Sequence, residues 1–73
     1  MSFLSNLSGH QVVKLFAKDG WCVVRQSGIH MLLVQEGSVS TLAVPDHKEI
    51  AKGTLRRLMR ASSLTVEAFL NLI

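Results

Sequence analysis

Three histidines, His10, His30 and His47, are the side chains of this 73-residue sequence best suited to moving protons near neutral pH. His10 falls at the start of a helical pattern and reads as a surface residue. His47 lies in a polar connection beside Lys48, where a loop or capping role is the simpler expectation. His30 stands apart, because it follows Gly28 at the head of an apolar run in which a polar ring needs a reason. On position alone, a hydrogen-bonded and partly buried histidine accounts for it most simply. The three histidines do not have zinc-ligand spacing, and there is no second cysteine to join them. Paired carboxylates, a phosphate-cradling glycine loop and a nucleophile elbow are also missing. Any chemistry here is therefore expected to use few groups, with no metal and no cofactor.

The basic residues make a second pattern. On a helix beginning near Gly53, Lys52, Arg56 and Arg60 fall within an arc of about 80°. Arg57 flanks them, and Leu55, Leu58 and Met59 form the opposite, apolar side. Such a stripe is either a solvated face or a ridge for binding phosphates, and the lack of interleaved acids favours the ridge. Arg25 could extend the same surface. Lys and Arg outnumber Asp and Glu by 8 to 5, for a net charge of +3. With a pI near 9.6, the chain should prefer an anionic partner.

These residues must be positioned by short elements. Ser8 has the look of a helix N-cap and Gly20 of the matching stop. Between them Val12, Val13, Leu15, Phe16 and Ala17 gather on one side, with Gln11, Lys14 and Lys18 on the other. Three strands are expected next, over 21–26, 29–35 and 39–44, separated by Ser27-Gly28 and Glu36-Gly37-Ser38. Thr54 is the expected cap of the basic helix, Ser62-Ser63 its end, and Thr65 the cap of a last short helix over 66–73. The order predicts an α+β sandwich, a three-stranded antiparallel sheet with its helices on one face. The second strand is apolar at both parities, with Ile29, Met31 and Leu33 alternating with Leu32 and Val34. Its second face calls for cover, from a partner protein, from a copy of the chain as a homodimer, or from helix edges and the N-terminal arm.

Length and composition bound the rest. A chain of 73 residues has room for one domain, 1–73, and a hydrophobic content of 48% suits a packed core. The single cysteine, Cys22, cannot form an internal disulfide and reads as a small buried side chain. Its lone thiol suits a reducing compartment. No signal-like start and no apolar run long enough for a membrane span are present, which points to the cytoplasm.

Several motifs then occur in a recognisable order. Asp19-Gly20-Trp21 followed by Val24-Arg25-Gln26-Ser27-Gly28-Ile29-His30 resembles a stretch reading Gly, an aromatic residue, then Arg-Gln-x-Gly-Ser-His. Val44-Pro45-Asp46-His47-Lys48-Glu49-Ile50 with Lys52-Gly53-Thr54-Leu55-Arg56 resembles a Pro-x-His, Lys-Glu-Ile and Lys-Gly-Thr-Leu-Arg segment. Ala61 to Phe69 is similar to a final Ala-x-x-x-Ser/Thr-x-Glu-x-Phe pattern. Together, over nearly the whole chain, these resemble the HicA (YcfA-like) toxins. The resemblance implies a fold like the double-stranded-RNA-binding domain, helix, three strands, helix. It also implies an endoribonuclease that cleaves mRNA and is held inactive by a HicB-type antitoxin. The family's functional histidine aligns with His30, which reverses the positional reading given above. Arg25, Lys52, Arg56, Arg57 and Arg60 would then hold the RNA backbone.

The sequence departs from the family pattern on either side of His30, where Ile29 replaces the usual serine and Met31 a frequent second histidine. In a strand both would point away from His30. A non-catalytic RNA-binding module, or a protein-interaction subunit whose basic stripe meets an acidic partner, are the alternative readings.

Overall fold

The computed structural model describes residues 6–73. The first helix, α1 (Gly9–Lys18), begins where expected. The Ser8 hydroxyl accepts from the Gln11 N–H at 3.1 Å, and the Ser8 N–H donates to the Gln11 side-chain oxygen at 2.8 Å. This reciprocal pair satisfies two donors that a helix start otherwise leaves open. Asp19 caps the other end, and Gly20, at φ 95°, turns the chain towards the sheet.

Three strands follow: β1 (Cys22–Ser27), β2 (His30–Val34) and β3 (Thr41–Pro45), antiparallel and in the spatial order β1-β2-β3. The pairing sets the faces. Met31 lies opposite Val44, and Leu33 opposite Leu42. These four side chains are buried in one cluster with Val12, Leu15 and Phe16 of α1. Leu55, Leu58 and Met59 join them from the second helix, α2 (Lys52–Ala61). Both helices thus cover the same face of the sheet, as the α+β expectation requires. The short α3 (Val66–Leu70) is capped by Thr65 and closes the core with fully buried Phe69. Phe69 lies 5.4 Å, centroid to centroid, from Phe16, which also meets Trp21 edge-on at 6.4 Å.

Four expectations need correcting. The third strand begins at Thr41 rather than Val39, and Val39 is fully exposed; the strand also includes Pro45. As the last residue of an edge strand, Pro45 removes no needed donor from the ladder. The second helix begins at Lys52 with Ala51 at its cap position and no side-chain capping bond, so Thr54 lies inside the first turn. Burial of Ile50, whose N–H donates to the Leu7 carbonyl at 2.7 Å, fixes where the chain enters that helix. The last helix stops at Leu70 rather than running to Ile73. Cys22 is exposed, because β1 is an edge strand and is exposed along its whole length.

The second face of the sheet is open among the described residues. Leu32 is only half-buried, and Val34 and Ala43 are exposed. The outer part of the N-terminal arm, residues 1–5, which was one candidate for covering this face, lies outside the described residues. None of the described helices is long and apolar enough to cross a membrane.

Candidate functional site

His30 is delivered by a two-residue hairpin. Ser27 and His30 are paired, and Gly28-Ile29 form the loop between them. Gly28 takes φ 59° at the first central position of this two-residue loop, a positive φ of the kind tight hairpin turns place there. His30 opens β2 and pairs with Pro45 on its other side. Successive residues alternate faces, so His30 points to the open side while its neighbour Met31, 4% exposed, enters the core. The ring is exposed rather than partly buried. Met31 therefore points away from His30 as expected, whereas Ile29 occupies the turn, half exposed, instead of a strand position.

Arg25 shares the open face with His30. It lies opposite Leu32, two residues along β2 from His30, after a bulge at Val24 that shifts the register by one residue. Positions related in this way have Cβ atoms about 7–8 Å apart or somewhat less, within reach of a long side chain.

On the other flank, an open cavity of about 430 Å³ lies between the edge strand β3 and α2. Its lining includes His30, Thr41, Pro45 and His47 on the sheet side and Thr54 and Arg57 on the helix side. Among the described residues no carboxylate lines it. The basic stripe is consequently divided. Arg57 faces the cavity with His30, whereas Arg56 and Arg60 line a separate groove of about 370 Å³ with Leu64, Thr65 and Val66. Lys52 is exposed at the start of α2 and lines neither opening. Of the five basic residues singled out from the sequence, only Arg25 and Arg57 are brought to the neighbourhood of His30.

His47 is the residue that sequence reasoning passed over. Its backbone does serve the connection, since its carbonyl accepts from the Gly9 N–H at 2.9 Å. The residue also lines the same cavity as His30. The neighbouring residue is held as well: the Asp46 N–H donates to the Ile29 carbonyl at 2.6 Å, and its carboxylate meets the His10 ring at 3.1 Å. The signal that could have found His47 was topological. In an antiparallel meander the end of the third strand returns beside the start of the second, so residues just past Pro45 lie next to His30. His10 is on the surface as expected, with a side chain 70% exposed. Among the described residues no three His, Cys, Asp or Glu side chains are grouped to hold a metal ion.

The fold and site define a small, basic α+β protein whose sheet is backed by helices on one face and leaves a histidine and two arginines accessible around its other face and edge. A family model described as the HicA toxin of bacterial toxin-antitoxin matches residues 9–64, and the chain belongs to that family. It is therefore the toxin of a toxin–antitoxin pair, and an antitoxin is its partner. Neither the curated proteins nor the solved structures gave a match.

Proposed function

We propose that this toxin is a metal-independent endoribonuclease that cleaves mRNA, with His30 transferring a proton to or from the reacting phosphodiester, and that a HicB-type antitoxin holds it inactive. The observation that carries the reading is the placement of His30. An exposed imidazole at the mouth of a turn, flanked by Arg25 on the sheet and Arg57 across a cavity, joins an acid–base group to two phosphate-binding ones. RNA carries its own nucleophile in the 2′-hydroxyl, so strand scission needs proton transfer and charge stabilisation rather than a metal-activated water. Arg56, Arg60 and Lys52 extend the positive surface along α2 and would hold the strand beyond the cut.

The test is incubation of the purified chain with mRNA in EDTA beside its His30→Ala variant. Cleavage by the parent alone is the expected result. Cleavage by both would place the activity elsewhere. Cleavage by neither, together with salt-sensitive RNA binding, would leave a binding module of the same fold.

A further inference from the structure

When the 2′-hydroxyl of RNA attacks the adjacent phosphorus, two protons move. The 2′-oxygen gives one up as its bond to phosphorus forms. The 5′-oxygen takes one as the P–O5′ bond breaks, leaving a 2′,3′-cyclic phosphate and a 5′-hydroxyl. A single imidazole is either the acceptor or the donor at that moment, so His30 alone serves only one side of the reaction.

A second histidine lines the cavity beside His30. His47 follows Pro45 by two residues, and Pro45 is the β3 partner of His30. His47 lies just past the end of β3, where the bond of the Asp46 N–H to the Ile29 carbonyl keeps the chain beside the hairpin. Both histidines line the one cavity, so a phosphodiester in it has a histidine on either side. The backbone around His47 is fixed at two points, by the bond of Asp46 to the Ile29 carbonyl and by the bond of Gly9 to the His47 carbonyl, while the ring itself is exposed. Among the described residues Arg57 is the one permanent charge lining the space. Charged groups near the two histidines include Arg25 on the sheet beside His30, the His10–Asp46 pair, and Lys48, next to His47 in the chain.

We propose that His47 is the second proton-transfer group of the ribonuclease, taking whichever of the two transfers His30 does not, with Arg57 on the phosphate between them. This rests on the ribonuclease reading above and adds a second catalytic residue to it.

The experiment uses an RNA oligonucleotide with a mapped cut site and a copy in which sulfur replaces the bridging 5′-oxygen at that site. Sulfur departs without being protonated, so it restores a variant that has lost the acid and does nothing for one that has lost the base. His47→Ala and His47→Gln should cut ordinary RNA on the order of 10²–10⁴-fold more slowly, with the circular dichroism melt of the parent. The sulfur substrate should restore one of His47→Ala and His30→Ala and leave the other slow. The bell-shaped pH profile of the parent should lose one limb in His47→Ala. If His30→Ala is inactive but both His47 variants cut at the parent rate, this inference is overturned and the ribonuclease reading stands. Restoration of both variants, or of neither, also overturns it. Unchanged cleavage by His30→Ala overturns the ribonuclease reading itself.

Discussion

Gly9 and Pro45 approach so closely that no side chain fits between them. A Cβ on Gly9 would lie 2.2 Å from the Pro45 carbonyl oxygen and 3.2 Å from the Asp46 Cα. The start of α1 is thereby pressed against the end of β3, and the contact is backbone on backbone, so neither side can yield by rotating a side chain. Gly9→Ala must push the Pro45–His47 segment away from α1 or tilt the helix. The expected cost is about 1–3 kcal/mol, as for other overpacked sites. At about 4–8 °C per kcal/mol for a chain of this size, thermal denaturation reads it directly. Cleavage should fall further than the lost folded fraction accounts for, because the displaced segment carries His47.

The hairpin that presents His30 depends on backbone conformation alone. Nothing lies within 4 Å of a Cβ placed on Gly28, yet its φ is 59°. Gly28→Val should cost about 1–2 kcal/mol through the left-handed backbone it forces on a β-branched residue. Gly28→Asn should cost less, since asparagine tolerates that region. Urea midpoints of the two variants, ranked in the opposite order, would show that the turn is not held in this conformation.

The division of the basic residues between two openings separates catalysis from binding. Arg57→Ala should lower kcat by about 10²-fold with little change in KM, the loss typical of a donor aimed at developing charge. Replacing Arg56 and Arg60 together by alanine should instead raise KM and reduce the salt slope of RNA binding by about 1 per residue, with kcat nearly unchanged. Equal effects on kcat from both sets would mean that the groove along α3 and the cavity by β3 act as one site.

Ile29→Ser restores the residue that the family pattern carries before the histidine. Ile29 is 52% exposed in the turn, so the change should alter stability by no more than about 0.5 kcal/mol. An added hydroxyl beside the reacting group should leave cleavage unchanged or raise it, measured as the initial rate on one RNA substrate. A fall would show that the isoleucine itself contacts the strand.

Local chemistry was readable at some single residues and not at others: Thr65 caps α3 as its type suggests, but Thr54 lies inside the first turn of α2. Ser8 announced the start of α1, whereas the second strand, apolar at both parities, did not say that Met31 and Leu33 would be its buried face and Leu32 and Val34 its open one. The antiparallel pairing of the three strands was readable from their short connections, but the contacts made past the end of the third strand were not. Nothing in Asp46-His47-Lys48 says that Asp46 will bond to the Ile29 carbonyl, yet that bond carries His47 to His30. A helical wheel places Arg56, Arg57 and Arg60 on one polar side. It cannot tell that the sheet edge takes Arg57 while the chain leading into α3 takes the other two. Cys22 looked like a core residue because its type and neighbours are apolar. Its exposure follows from β1 being an outer strand, which is a property of the sheet and not of the segment.

Trp21 is the sole tryptophan of the chain, 2% exposed, with an indole N–H that has no hydrogen-bond partner among the described residues. It sits edge-on to Phe16 where α1 hands over to β1, and it lines neither of the two openings considered above. The molecule thus carries a single built-in fluorophore in a dry setting, well placed to report packing and indifferent to what occupies the cavity. Its emission should shift to the red only when water reaches the core. Variants at His30, His47 and Arg57 can therefore be sorted by light alone into those that have lost chemistry and those that have lost their fold.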